Sequence, residues 1–259
     1  VSLVTVSVVC YNTNLDIITR CLESIEAQNI DWKGVFVDHS KMGIYKTLLE
    51  NRSKWKYIER GAENDGFGGG NNAAFSFVEN SKYFLLVNPD VYLYPDTIKK
   101  LIGIISQDTS IGLITGKIYY PDGTLQKLNK RNPTVYALLG RRFKLLKKIP
   151  FISNAIDQYE MIDFDYETFY DVEFISGCLM LIPVGVFEKC KGFDSRYFLY
   201  FEDADLSRNI RELGYRTVFS PIPEAIHEYQ RGSHTSKKLF FIFIMSMIKY
   251  FNKWGWKWF

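Results

Sequence analysis

The 259-residue chain has little of what builds metal frameworks or disulfide scaffolds, with 4 cysteines and 3 histidines in all. Cys10, Cys21, Cys178 and Cys190 are far apart, form no CxxC pair and join no histidine cluster. Neither a zinc site nor a stapled fold is indicated, and reduced thiols in a cytoplasmic setting are the expectation. A charge excess is also missing: 32 Lys and Arg face 29 Asp and Glu, a net of +3. That is too little for a protein whose affinity comes from neutralising nucleic-acid phosphates, so no nucleic-acid partner is expected. No long hydrophobic run occurs either. The longest, Leu239 to Ile248, is interrupted by Ser246 and falls short of the roughly 18 residues needed to cross a bilayer. The opening VSLVTVSVVC carries no basic leader and no small-residue cleavage site, and it reads as a β-branched strand, not a signal peptide.

What is present is a large apolar content, 47% of residues with 16% aromatic, which offsets the ordering entropy of a folded chain and excludes disordered classes. The length suits one large domain with an appendage. Up to about Tyr120, β-branched runs alternate with amphipathic ones, the pattern of a mainly parallel sheet with helices on both faces. TVSVVC is a strand ending at Tyr11 and Asn12, followed by Leu15, Ile18, Leu22 and Ile25 at helical spacing. KGVFVD ends at Asp38, a weaker strand covers Tyr57 to Glu59, and YFLLVN ends at Asn88 just before Asp90. Polar residues therefore gather at the C-terminal edge of the sheet, where open α/β folds place their ligands. Beyond that point VEFISGCLMLIP reads as a long apolar strand with Gly177 inside it, and DADLSRNIRELG as a helix stopped by Gly214.

Four segments carry chemistry. Glu63 to Asn72 reads as a Gly-rich turn leading into the helix NNAAFSFVEN. It lacks the third glycine of GxGxxG and the lysine of a P-loop. With Asn64, Gly66, Phe67, Gly70 and Asn72 it still offers a flexible backbone and amides suited to a ribose and phosphates, or makes only a tight connection. Asn88-Pro89-Asp90 either forms an ordinary turn or presents Asp90 as a ligand for a hard cation, which needs one or two carboxylates beside a diphosphate. Glu202, Asp203 and Asp205 open a helix, where at least one is expected to cap it or complement its dipole and one to serve as a general base. His227, Arg231 and Ser233 fall in one polar loop that could cover a metal-bound diphosphate.

Taken together and in this order, NDGFGGGNN, LLVNPDV, FISGCLMLIP and GFDSRYFLYFEDADLSRNIRELGY resemble the inverting family 2 glycosyltransferases of the GT-A fold. Within them they resemble the bacterial rhamnosyltransferases of O-antigen and related surface polysaccharides. The resemblance implies a GT-A domain over 1–235, with a nucleotide-binding half at 1–120 and an acceptor and catalytic half at 121–235. It further implies that Asn12, Asp38 and Asn64 hold the base and ribose of a nucleotide sugar, that Tyr11 also contacts this donor, and that Asp90, with His227 as a further ligand, binds Mg²⁺ or Mn²⁺ on its diphosphate. Asp203 would be the catalytic base, Glu202 the weaker candidate, and Gly177 would line the sugar pocket. The implied donor is dTDP-L-rhamnose, or another nucleotide sugar such as a UDP-hexose, and the implied acceptor a lipid-linked saccharide. A non-catalytic assembly subunit of the same fold is the rival from another class. Two departures stand out: Asn88 replaces the first acid of the DxD-like motif, and His39-Ser40 follows Asp38.

Two blocks of charge remain. Lys127 to Lys148 holds eight bases and no acid, and Asp157 to Glu173 seven acids and no base. Such blocks are expected to be solvated faces, or, for the basic one, to meet an anionic membrane or a phosphate-bearing acceptor. The appendage, 236–259, is too apolar all round to lie free in water. It is expected to pack on the body or on a second copy in a homodimer, or to lie on a membrane surface.

Overall fold

The structure, a computed structural model, describes residues 2–40, 43–61, 63–143, 145–228 and 237–259. Strands β1 (Val4–Cys10), β2 (Trp32–Asp38), β3 (Trp55–Glu59) and β4 (Tyr83–Val87) alternate with helices α1 (Leu15–Glu26), α2 (Lys46–Leu49) and α3 (Gly66–Phe75). Then come β5 (Val91–Leu93), α4 (Thr97–Ile105), β6 (Ile111–Tyr119), α5 (Val135–Arg142), α6 (Pro150–Glu160) and β7 (Tyr170–Asp171). The chain continues through β8 (Leu179–Pro183), α7 (Val184–Lys189), α8 (Glu202–Glu212), β9 (Arg216–His227) and α9 (Lys237–Trp254). One sheet contains all these strands in the order β3-β2-β1-β4-β8-β6-β9-β5, with β7 beside β9. β1 to β4 run parallel; β8 is antiparallel to both its neighbours, and β5 and β7 are antiparallel to β9.

Alternation along the strands feeds two cores. Val4, Val6, Val8, Leu85 and Val87 face one side, where Ile18 and Leu22 of α1 and Ile98 and Leu101 of α4 cover them. Phe84 and Leu86 face the other, against Ala74 of α3, Phe187 of α7 and Ile210 of α8. Buried on both faces, these strands read as near-continuous apolar runs. Asn14 starts α1 by accepting the Asp16 amide at 2.8 Å, while Leu15, expected on the apolar stripe, stays half exposed.

α9 is covered on one side only. Ser246, Met247, Tyr250 and Phe251 are buried in a third core with Val135, Leu138, Tyr197 and Phe201. Lys253 donates to Asp205 at 2.8 Å, and the Trp254 indole to the same carboxylate at 2.7 Å. Phe241 and Met245 remain exposed. The apolar sequence is thus resolved by packing one face on the body. The four cysteines are free thiols, three of them buried.

Three local expectations are overturned. Residues 172–178 are not a strand: β8 starts only at Leu179, and the Ile175 amide donates to Ser207 Oγ at 3.2 Å instead of to a ladder. Gly177 therefore sits in a turn. The Gly-rich segment is not a turn but the first half of α3, and the helix ends at Phe75, short of the expected Asn80. His227 is not in a loop; it closes β9, held by register with Val91.

Candidate functional site

The order of the strands reverses between β1 and β4, which opens a crevice at their C-terminal ends. Around it stand exposed Tyr11, Asn12 in the left-handed region (φ 51), and buried Asp38. Asp38 accepts the Ser40 amide at 2.6 Å and the Tyr57 hydroxyl at 2.7 Å. The Tyr57 hydroxyl in turn is pushed well above its ordinary pKa by burial and by this carboxylate.

α3 forms the next wall, and its glycines are there for packing. Asn64 accepts the Gly66 amide at 3.0 Å. Gly66 has φ +82, and a Cβ there would lie 1.7 Å from the Phe198 carbonyl oxygen. At Gly70 a Cβ would come within 2.5 Å of Val9 and 2.8 Å of His39 Nε2. Asn72 uses both ends of its amide on Phe193, accepting from its N–H and donating to its carbonyl, so it pins α3 to the turn after α7. Phe67 reaches over to Gly177, where a Cβ would sit 3.0 Å from its ring.

The backbone N–H of Asn88 donates to the Cys178 carbonyl at 3.0 Å, so the end of β4 meets the turn at Gly177. Asp90 Oδ1 is 3.4 Å from His227 Nε2. Gln126 fixes this ring. Its Nε2 donates to the carbonyls of His227 and Tyr119, which turns its Oε1 toward His227 Nδ1 at 3.1 Å. That contact fixes the ring so that Nε2 faces Asp90. Among the described residues no group of three or more His, Cys, Asp or Glu gathers as a metal site. One carboxylate oxygen and one oriented imidazole nitrogen nonetheless fit a Mg²⁺ or Mn²⁺ ion that takes its remaining ligands from a diphosphate and water.

The opposite side of the crevice is the start of α8. Tyr200 and Phe201 both adopt positive φ, 70 and 69, a strained conformation for aromatic residues that clusters at functional sites. The helix start has no side-chain cap; Glu202, Asp203 and Asp205 lie in its first turn, where they complement the helix dipole without capping it. Asp203 instead accepts the Gly177 amide at 3.1 Å and the Ala204 amide at 2.9 Å. Burial raises the pKa of both Glu202 and Asp203; the amides of Gly177 and Ala204 oppose the rise at Asp203, whereas at Glu202 the neighbouring Asp203 charge adds to it. Glu202 is the more strongly raised and holds a buried Oε2 without a hydrogen-bond partner. The buried Cys178 thiol is pushed up to about 12, chiefly by desolvation, with a Ser176 hydrogen bond opposing the rise and the Asp90 and Asp203 charges adding to it.

A family model for glycosyl transferase family 2 matches residues 5–189, which spans the crevice from β1 through α7. The chain belongs to glycosyl transferase family 2. It is 25% identical over 221 residues to the rhamnosyltransferase WbbL of Escherichia coli K12, covering 82% of this chain and 78% of that protein. It is 27% identical over 150 residues to the N-acetylglucosaminyl-diphospho-decaprenol L-rhamnosyltransferase of Mycobacterium tuberculosis, covering 56% of this chain and 46% of the relative. The chain thus spans about half the length of that second relative. Among solved structures it resembles GalNAc-T7 with UDP, GalNAc and Mn²⁺ (TM-score 0.66, 14% identity, 88% of this chain, 43% of that one). It also resembles the mannosyltransferase PcManGT of Pyrobaculum calidifontis with GDP-Man and Mn²⁺ (TM-score 0.60, 16% identity, 90% of this chain, 58% of that one). At these identities the likeness establishes the GT-A fold.

Within this family 2 glycosyltransferase the structure also gathers residues that the sequence did not single out. Lys130 lies 5.7 Å over the Tyr159 ring; burial lowers its pKa to about 8, with Arg141 adding to the fall and Glu160 and Asp203 opposing it. Nothing in the basic block marked it out from its neighbours. Gln126 and Phe198 are likewise visible only once the fold brings them to His227 and Gly66. Arg231 and Ser233 lie outside the described residues.

Proposed function

We propose that this glycosyltransferase inverts the anomeric centre of dTDP-L-rhamnose while moving the rhamnosyl group onto a lipid-linked saccharide in surface polysaccharide synthesis. The observation that carries the reading is that the end of β4 and the start of α8 meet at one turn: the backbone N–H of Asn88, two residues before Asp90, donates to the Cys178 carbonyl, and Asp203 accepts the N–H of the adjacent Gly177. The rhamnosyltransferase names of both relatives support the sugar, and the decaprenol in one of them supports the lipid.

In this reading residues 1–120 supply the donor side and 121–235 the acceptor side. Asn12, Asp38 and Asn64 seat the base and ribose and Tyr11 also contacts the donor, with Gly66, Phe67 and Gly70 shaping the wall beside them, and Asn88 and Gly177 facing the sugar. Asp90 and His227 would hold Mg²⁺ or Mn²⁺, which when bound supplies positive charge to the departing diphosphate. Asp203 takes the proton of the acceptor hydroxyl as that oxygen bonds to the anomeric carbon. The bond from that carbon to the diphosphate breaks on the opposite face, and its electron pair leaves with dTDP. No acid is needed, because the diphosphate is already a good leaving group. Asp203 is better suited than Glu202, whose buried carboxyl is held protonated further up the pH scale.

A thermal-shift panel of dTDP-L-rhamnose, UDP-glucose and GDP-mannose, with and without Mn²⁺, tests the donor, since ligands of the folded form raise its melting point. The largest shift is expected with dTDP-L-rhamnose, and slow hydrolysis should release dTDP. Equal shifts with all three would contradict the assignment.

A further inference from the structure

We propose that the surface formed by the end of α5, the segment that follows it and the outer face of α9 docks on an anionic membrane surface, placing Asp203 one helix behind the lipid. The proposal rests on the reading of the acceptor as lipid-linked only for the purpose of docking, not for the docking itself.

The surface is continuous. Arg142 at the end of α5 stacks 4.4 Å over Phe240 at the start of α9. Tyr136 of α5 packs on Phe151 at 5.4 Å and on Phe259 at 5.0 Å, which joins α6 and the C-terminal residues to the same edge. Along it Leu145 is 77% exposed, Phe241 64% and Phe259 70%, with Phe143, Phe151 and Trp258 each about half exposed. Contiguous exposed apolar groups of this kind mark an interaction surface, not a solvated one.

Charge identifies the partner. No acid occurs between Lys127 and Lys148 or anywhere after Glu228, and Lys147, Lys148, Lys237, Lys238 and Lys257 are all exposed. Glu160 is paired with Arg141 at 2.7 Å, and Glu173, which lines a pocket with Lys257 and Phe259, accepts the Asn132 backbone N–H at 2.8 Å. Aromatic and aliphatic side chains set among lysines suit the boundary between acyl chains and anionic headgroups. Two copies pressed together through this face would instead bring lysines against lysines. Among the described residues no helix is long and apolar enough to cross a membrane, so the contact is one that lies on the surface.

The geometry links this face to the chemistry. Phe243, two residues from Phe241 and so on the opposite side of α9, packs on Tyr200 at 5.8 Å and on Phe201 at 5.3 Å. These are the strained residues that present Asp203. A helix is about 10 Å thick, so docking through the outer face of α9 sets Tyr200, Phe201 and the Asp203 that follows them about that far behind the lipid surface.

Vesicle flotation with the full chain tests the surface, comparing phosphatidylcholine vesicles with phosphatidylcholine–phosphatidylglycerol mixtures. The protein is expected to float with the mixed vesicles, to stay behind with the neutral ones, and to release as salt is raised. The double variant Leu145→Glu, Phe241→Glu should lose at least about tenfold in partitioning with an unchanged melting point, because both side chains are exposed. No vesicle binding by the unmodified protein, or equal binding by the variant, would overturn the proposal. So would a dimer of the unmodified protein that the variant abolishes. Donor binding is read separately without vesicles: its absence beside intact flotation would reject the proposed function and leave the surface standing.

Discussion

Asp205 fastens the C-terminal helix to the helix that carries Asp203, so its loss should be felt in stability and in transfer alike. Its side chain is 1% exposed and accepts Lys253 at 2.8 Å and the Trp254 indole at 2.7 Å. Asp205→Ala strands both donors. Removing one partner of a fully buried pair costs about 3–5 kcal/mol. Lys253 is 22% exposed and keeps Asp194 at 3.3 Å, which lowers the loss to about 2–3 kcal/mol. The stranded Trp254 N–H adds about 1 kcal/mol, for a total of about 3–4 kcal/mol. In a domain of this size that corresponds to a fall in melting temperature of roughly 6–15 °C. Asp205→Asn keeps an acceptor for the indole and should recover about 1 kcal/mol. Urea titration gives the free energies and calorimetry the midpoints. Transfer should fall with stability, since α9 braces Tyr200 and Phe201 through Phe243. A loss of less than about 1 kcal/mol in Asp205→Ala would refute the claim that this carboxylate holds α9 in place.

Two further outcomes follow from the site. The Glu202 carboxyl has its folded pKa raised by burial and by Asp203, so its contribution is fully present below the unfolded value and is lost as pH rises through the folded one. Glu202→Gln should therefore be at least as stable as the parent at neutral pH, with the gap closing toward about pH 4; melting curves across pH check this, and a gap that widens on acidification would contradict it. Gly66→Ala combines a positive φ with a methyl driven onto the Phe198 carbonyl and should cost more than about 3 kcal/mol. Gly61→Ala, also at positive φ but with nothing within 4 Å, should cost about 1–2 kcal/mol by urea titration.

The parts of the fold that were legible in the sequence are those fixed by short-range pattern. β1, β2 and β4 are short, largely apolar runs with polar residues at or just beyond their ends, and this pattern put Asp38, Asn88 and Asp90 at the C-terminal edge of the sheet. Long-range packing decided the rest. Five residues of α3 lie in a stretch whose glycines disfavour helix by about 1 kcal/mol each. Yet Gly68 would place a Cβ 2.9 Å from Phe193 and Gly70 one 2.5 Å from Val9, so those two positions admit no side chain. Residues 172–178 are apolar because α8 and β9 bury them, and an apolar run alone does not separate a strand from a buried connection. His227 became the end of a strand because β9 pairs with β5 on one side and β6 on the other, a pairing with no local signature. Packing of one face of α9 likewise depends on Asp205, forty-eight residues before Lys253.

The most direct test of the account is Asp203→Asn, assayed for donor binding by thermal shift and for transfer of rhamnose from dTDP-L-rhamnose to a lipid-linked acceptor. An asparagine keeps an oxygen for the Gly177 amide but takes no proton, so donor binding should persist while transfer falls by about 10²–10⁴-fold. Transfer at the unmodified rate would contradict the assignment of Asp203 as the base.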